Sequence, residues 1–148
     1  LATDLVRVLG EDHQAHGPWN PKLDAETLRT MLRHMVTVHI FDDRMYRAQR
    51  QGKTSFYMKC TGEEAIAIPA TFALDREDMH FPTYRQQGIL VARGYPLVSM
   101  MNQIYSNPGD HMKGRQLPIM YSDKAHGFFS ISGNLGTQYP QAVGWSMA

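Results

Sequence analysis

The stretch GFFSISGNLGTQYPQAVGWSMA, residues 127–148, changes its period halfway along. GFFSIS is short, aromatic and β-branched, and predicts a strand. GNLG is a turn by its two glycines, and TQYPQAVGWSMA is rich in small residues and helical in pattern. A strand that turns directly into a helix is how an α/β domain opens. The fold class expected is α/β, with the rest of the sheet lying beyond Ala148. The closing helix has no Gly or Asn cap and no polar tail, and Leu1 is not an initiator residue. A piece of a longer protein is the expectation.

Upstream the pattern is helical. Residues 1–23 are polar and punctuated by HGPWNP, which predicts an extended arm with Trp19 as its anchor. From residue 24 onward Leu28, Met31, Leu32, Met35, Val38, Asp42 and Met45 fall near helical spacing, with Asp42 as a polar interruption. Asp24 is placed to cap this helix and Gly52 to close it, over about seven turns. Its basic end, Arg44, Arg47, Arg50 and Lys53, either matches the helix dipole or meets an acidic partner. A second helix begins near Gly62 and contains Pro69, which should kink or shorten it. A third follows Tyr84-Arg85 and ends at Gly94. Pro96 opens a fourth at its first helical position, and residues 107–118 read as a loop.

Composition excludes several functions. The 148 residues are 43% hydrophobic and 20% charged, as in an ordinary globular domain. A formal net charge of +1 gives no basis for bulk nucleic-acid binding. No apolar run of 18 residues exists to form a membrane-spanning helix, and the start lacks the basic and apolar regions of a secretory signal. The lone Cys60 rules out an internal disulfide and fits a reducing compartment and a buried small residue. No H-x-x-x-H or C-x-x-C pair offers transition-metal ligands, and the adjacent Glu63 and Glu64 point apart on a helix.

Two stretches carry possible chemistry. In MHFPTYRQQGIL, residues 79–90, Pro82 makes the chain extended and Thr83 is placed to cap a helix starting near Tyr84. Tyr84 and Arg85 would then stand at a helix N-terminus that favours an anion such as phosphate; a plain surface cap is the alternative. In the loop after GFFSIS, the glycines Gly133 and Gly136 could cradle a phosphate. Ser132, Thr137 and Gln138, with turn carbonyls, could instead surround a hard cation, or Thr137 could simply cap the last helix.

Read in order, RAQRQGKTSFYMKCTGEEA, FPTYRQQG, KGRQLP and FFSISGNLGTQYPQAVGWSMA resemble the alpha subunits of branched-chain 2-oxo acid dehydrogenases, over about residues 24–148. The GPWNP arm is also like bacterial members. The resemblance implies a thiamine diphosphate-binding fold, here truncated to a mostly helical N-terminal part plus the first strand–loop–helix unit. The domain organisation implied is an arm at 1–23 and an incomplete dehydrogenase domain at 24–148. It implies thiamine diphosphate with Mg²⁺, and a K⁺ ion. By position, Tyr84 and Arg85 would meet the diphosphate, and Gly133 and Leu135 the aminopyrimidine. Phe56, Tyr84 and Leu117 would line the substrate pocket, and Ser132, Asn134, Thr137 and Gln138 would hold potassium. The Mg²⁺ ligands, the later-loop histidine and the glutamate that activates the cofactor would lie outside this chain, the last in the beta subunit. The implied partners are that beta subunit, a lipoyl acyltransferase core and a 2-oxo acid substrate, in a bacterial-type cytoplasmic setting. No residue here is expected to act as acid or base, and the 148 residues alone are expected to be inactive. The pattern departs from the family at Leu117 and Met120, where Met and His are common, and at Gly133-Asn134, where Ser-Pro is common. Pyruvate or acetoin relatives, or an inert fragment that serves only in subunit packing, are the alternative assignments.

Overall fold

The computed structural model describes residues 6–148. Its longest element is helix α1, Ala25–Arg50. Asp24 caps it as expected: its carboxylate accepts from the amides of Glu26 at 2.8 Å and Thr27 at 2.9 Å. Gly52, at φ 72°, closes it. Its amide donates to Gln49 O, and the Lys53 amide reaches back to Ala48 O, so two orphan carbonyls of the last turn are satisfied.

Helices α2, Glu64–Ala73, and α3, Gly88–Ala92, pack against α1 and each other. The face of α1 they cover carries Met31, Val38, Phe41, Asp42, Met45 and Ala48. Leu28 and Leu32, expected on that face, are instead 51% and 59% exposed. They belong to a second stripe, continued by Val36 and Ile40 at intervals of four residues, which stays about half exposed. Pro69 stays inside α2, which runs on to Ala73. Helix α4, Leu97–Ile104, starts one residue later than expected, because Pro96 keeps an extended ψ of 128° and serves as the cap.

Val38, Ile68, Leu90, Met100, Ile104, Ile119 and Phe128 form the centre of the core, each 1% exposed or less. The connection after α4 is held from within. Asp110 accepts from the amides of Met112 and Gly114, and the Gln103 amide group donates to Leu117 O and Met120 O. A short 3₁₀ turn, Lys124–His126, leads to Gly127, and α5, Gln138–Met147, ends the chain.

Two expectations need correction. The stretch 127–132 does not form a strand among the described residues; Phe128 makes only isolated bridges, parallel to His80 and antiparallel to Asp123. A strand exists only through a laddered neighbour, and here the backbone finds single partners. The regular secondary structure of the described part is helical, and the remaining residues lie in turns and loops. Trp19 does not anchor the arm: it is 62% exposed, and the hydrogen bonds of the arm's described residues, such as those closing the Leu9–Ala15 bridge, are local. The first five residues of that arm lie outside the described residues.

Candidate functional site

The segment between Pro82 and Gln87 is a turn, not the first turn of a helix. The Thr83 amide donates to Gln86 Oε1 at 2.8 Å, and α3 begins only at Gly88. Thr83 therefore caps nothing at Tyr84, and Tyr84 and Arg85 lie ahead of the first turn of α3 rather than in it. Their placement comes from packing instead. Tyr84 is partly buried against the core. The Arg85 side chain is 47% exposed, with its Nε donating to Met58 Sδ at 3.4 Å. Its Nη1 lies 3.9 Å from Glu63 Oε1, and the guanidinium stands 5.8 Å from the Tyr84 ring centre. A thioether is a weak acceptor and the carboxylate contact is at the limit of an ion pair, so among the described residues most guanidinium N–H donors are uncommitted.

Beneath this turn lies a buried polar knot that sequence patterning missed. Asp42, fully buried on α1, takes three hydrogen bonds. Tyr57 Oη donates to Oδ1 at 2.6 Å, Gln87 Nε2 to Oδ1 at 3.0 Å, and the Cys60 amide to Oδ2 at 2.6 Å. Burial first, and then the neighbouring carboxylate, push the Tyr57 phenol well above its ordinary range and keep it a donor. The same two causes, in the same order, push the Cys60 thiol up. The signal in the sequence was the polar interruption at Asp42 on an otherwise apolar stripe.

The loop 132–138 folds back on itself. Ser132 Oγ accepts from the Asn134 amide at 3.3 Å, and Thr137 Oγ1 donates to Asn134 O at 2.7 Å. Gln138 Oε1 accepts from the Gly136 amide at 3.1 Å. Thr137 occupies the cap position of α5 but its side chain caps no amide. Gln138 Nε2 reaches both Ser132 O, at 3.4 Å, and Pro82 O, at 3.3 Å. That one amide joins the loop to the Tyr84–Arg85 turn. On its other side, a Cβ built on Gly133 would stand 3.7 Å from Met120 Cε, so the two departures from the family pattern meet. Phe56 packs against the core, while Leu117 and Leu135 are 53% and 76% exposed. No group of three or more His, Cys, Asp or Glu side chains among the described residues is arranged to hold a metal.

A second buried cluster joins Arg93, at the end of α3, to the segment 75–80 that leads into the turn. Arg93 donates from Nη2 to the carbonyls of Asp75, at 2.8 Å, and Asp78, at 3.3 Å, and from Nη1 to Arg76 O. His80 sits beside it, 3.4 Å from Nη2. Burial first, then the Arg93 charge, hold the His80 imidazole below its ordinary range.

Arg85, with most of its donors free among the described residues, thus stands on a turn that the Gln138 amide joins to the 132–138 loop. Residues 32–148 match the family of dehydrogenase E1 components, and the chain belongs to that family. Over all 148 residues it is 63% identical to the 2-oxoisovalerate dehydrogenase subunit alpha of Pseudomonas aeruginosa, covering 36% of that protein. It is 40% identical over 145 residues, 97% of the chain, to the mitochondrial alpha subunit of that name in Mus musculus, of which it covers 33%. Over 110 residues, 74% of the chain, it is 46% identical to mitochondrial subunit alpha 2 of Arabidopsis thaliana, covering 23% of that protein. The chain thus spans about a third of the length of its most similar relatives, or less. No helix among the described residues is long and apolar enough to cross a membrane.

Proposed function

We propose that the chain is the N-terminal part of the alpha subunit of a branched-chain 2-oxo acid dehydrogenase, which decarboxylates its substrate oxidatively and passes the acyl group to a lipoyl carrier. The observation that carries this reading is the 63% identity, over every residue of the chain, to a 2-oxoisovalerate dehydrogenase alpha subunit. In this reading residues 24–148 belong to one thiamine diphosphate-binding domain, completed by later residues and by a beta subunit, and served by a lipoyl acyltransferase core.

The residues present fit the cofactor's anionic end. Arg85 keeps most of its planar donors free on a turn fixed by Gln86 and Gln87, which suits charge-assisted bonds to a diphosphate. When bound, thiamine diphosphate supplies the carbanion chemistry of decarboxylation. The chain's own residues bind and orient. Tyr84 and Arg85 hold the diphosphate, and Gly133 and Leu135 approach the pyrimidine. Phe56, Tyr84 and Leu117 present apolar surface to a branched side chain. Ser132, Asn134, Thr137 and Gln138 offer oxygen atoms to K⁺, although their local hydrogen bonds already use part of that capacity. Mg²⁺ is held by residues outside 1–148.

The test uses the full-length alpha subunit assembled with its beta subunit. Carbon dioxide release from 2-oxoisovalerate should exceed release from pyruvate at equal concentration and depend on added thiamine diphosphate. A preference for pyruvate would refute the branched-chain assignment. Cofactor-independent release would refute the cofactor.

A further inference from the structure

We infer that Asp42 is a positioning residue for Arg85, acting through Gln87 and Met58; the inference rests on the proposed contact between Arg85 and a diphosphate. The fully buried carboxylate has no cationic side chain among its hydrogen-bond partners. A carboxylate taken out of water is costly unless its acceptors are satisfied. Here the satisfying donors come from three separate places in the fold: Tyr57, the backbone at Cys60, and Gln87. A core could be closed at this point by an apolar side chain. What an apolar side chain would not do is fix the lateral position of these donors relative to one another.

The geometry runs outward from there. Gln87 Nε2 is shared between Asp42 Oδ1 at 3.0 Å and Met58 O at 3.4 Å. It thereby ties the end of the turn to the segment 57–60. Met58 then presents its sulfur to Arg85 Nε at 3.4 Å. So Asp42 bears on both supports of the Arg85 side chain: its backbone, two residues before Gln87, and the Met58 sulfur that its Nε meets. Arg85 is half-exposed and makes no other close polar contact among the described residues except the one at 3.9 Å to Glu63. Without the two supports its guanidinium would sample many rotamers, and a ligand would have to order it on binding.

The experiment is a double-mutant cycle on the full-length alpha–beta assembly, reading thiamine diphosphate Kd by calorimetry with magnesium present. The variants are Asp42→Asn, Arg85→Ala and the pair. Asparagine keeps the shape but replaces one acceptor oxygen by an NH₂ donor, so either the Cys60 amide loses its acceptor or Gln87 must turn its amide over and give up its bond to Met58 O. Asp42→Asn is expected to raise Kd roughly fivefold to tenfold with Arg85 in place, and to leave Kd unchanged in the Arg85→Ala background. An equal rise in both backgrounds would make Asp42 merely structural, and no rise in the Arg85 background would also overturn the inference. If Arg85→Ala itself leaves Kd unchanged, the diphosphate contact fails and the inference falls with it. Should Asp42→Asn not fold, Gln87→Met repeats the cycle. It cuts the link to the turn while leaving the Tyr57 and Cys60 bonds intact, and the same outcomes decide.

Discussion

Gly127 stands where two constraints meet, and replacing it by alanine should open the bridge between His80 and Phe128. Its φ is 63°, in the left-handed region. A Cβ there would lie 2.7 Å from the backbone oxygen of Asp78, well inside ordinary contact. The conformation alone costs a non-glycine residue about 1 kcal/mol. The clash cannot be relieved by a rotamer change, because the neighbour is backbone. Either Gly127 or Asp78 must move. Moving Gly127 weakens the His80 amide bond to Gly127 O, now 2.7 Å; moving Asp78 weakens the Arg93 bond to Asp78 O at 3.3 Å. Each such bond contributes about 1 kcal/mol. The local cost of Gly127→Ala is therefore ~2–4 kcal/mol, or a fall of about 30- to 1,000-fold in amide protection. The assay is hydrogen exchange on the full-length protein, read at the amides of His80 and Phe129, which pair across this bridge. Gly52→Ala is the control. Its φ of 72° is equally left-handed, but nothing lies within 4 Å of a Cβ there, so it should leave His80 and Phe129 protection unchanged. Wild-type protection at His80 in Gly127→Ala would refute the reasoning.

The structure sets three further outcomes. His80 is held below its ordinary value of 6.5 in the fold, so the unfolded chain binds the proton more readily. Stability should fall as pH drops from 6.5 through the folded value, and His80→Gln should flatten that slope in denaturant titrations at a series of pH values; His34, lowered by burial and then by Arg33, adds to the effect in both proteins. An unchanged slope in the variant would remove His80 from the account. Cys60 is 1% exposed with its thiol pushed up, so iodoacetamide should label it at neutral pH only after denaturation, and rapid native labelling by mass spectrometry would contradict the burial. Gln138→Leu removes the amide that bonds Pro82 O and Ser132 O, and should lower the thermal midpoint of the full-length protein by an amount matching ~1 kcal/mol and reduce its dependence on K⁺ over tetramethylammonium. A full K⁺ effect in that variant would separate Gln138 from the ion.

The long helix was legible because its signals are local: Asp24 and Gly52 act on amides and carbonyls within a few residues. Which stripe of it would be buried was less so. The series 28, 32, 36 and 40 is as apolar as the one that faces the core, and only the positions of α2 and α3 decide between them. The strand over 127–132 was misjudged for a related reason, since β structure depends on a partner distant in the chain. At the candidate site, motif order singled out Tyr84 and Arg85, and local capping logic placed them at the start of a helix that begins only at Gly88. The Gln86 side chain satisfies the Thr83 amide and postpones the helix to Gly88. Asp42 was visible only as an irregularity. Its meaning required Gln87, 45 residues later, to arrive beside it.

The Gln138 amide has a consequence beyond holding a loop. By bonding Pro82 O and Ser132 O at once, it makes the turn before Arg85 and the 132–138 loop two ends of one lever. Ordering either end spends part of the entropy that the other would otherwise lose on its own. In the proposed reading of the two sites, a diphosphate taken up at the turn and a cation taken up at the loop would favour each other, with the same factor read from either side. A concentration of K⁺ that saturates the loop would set the affinity for the cofactor, and scarcity of the cofactor would show itself as a loosened grip on the ion.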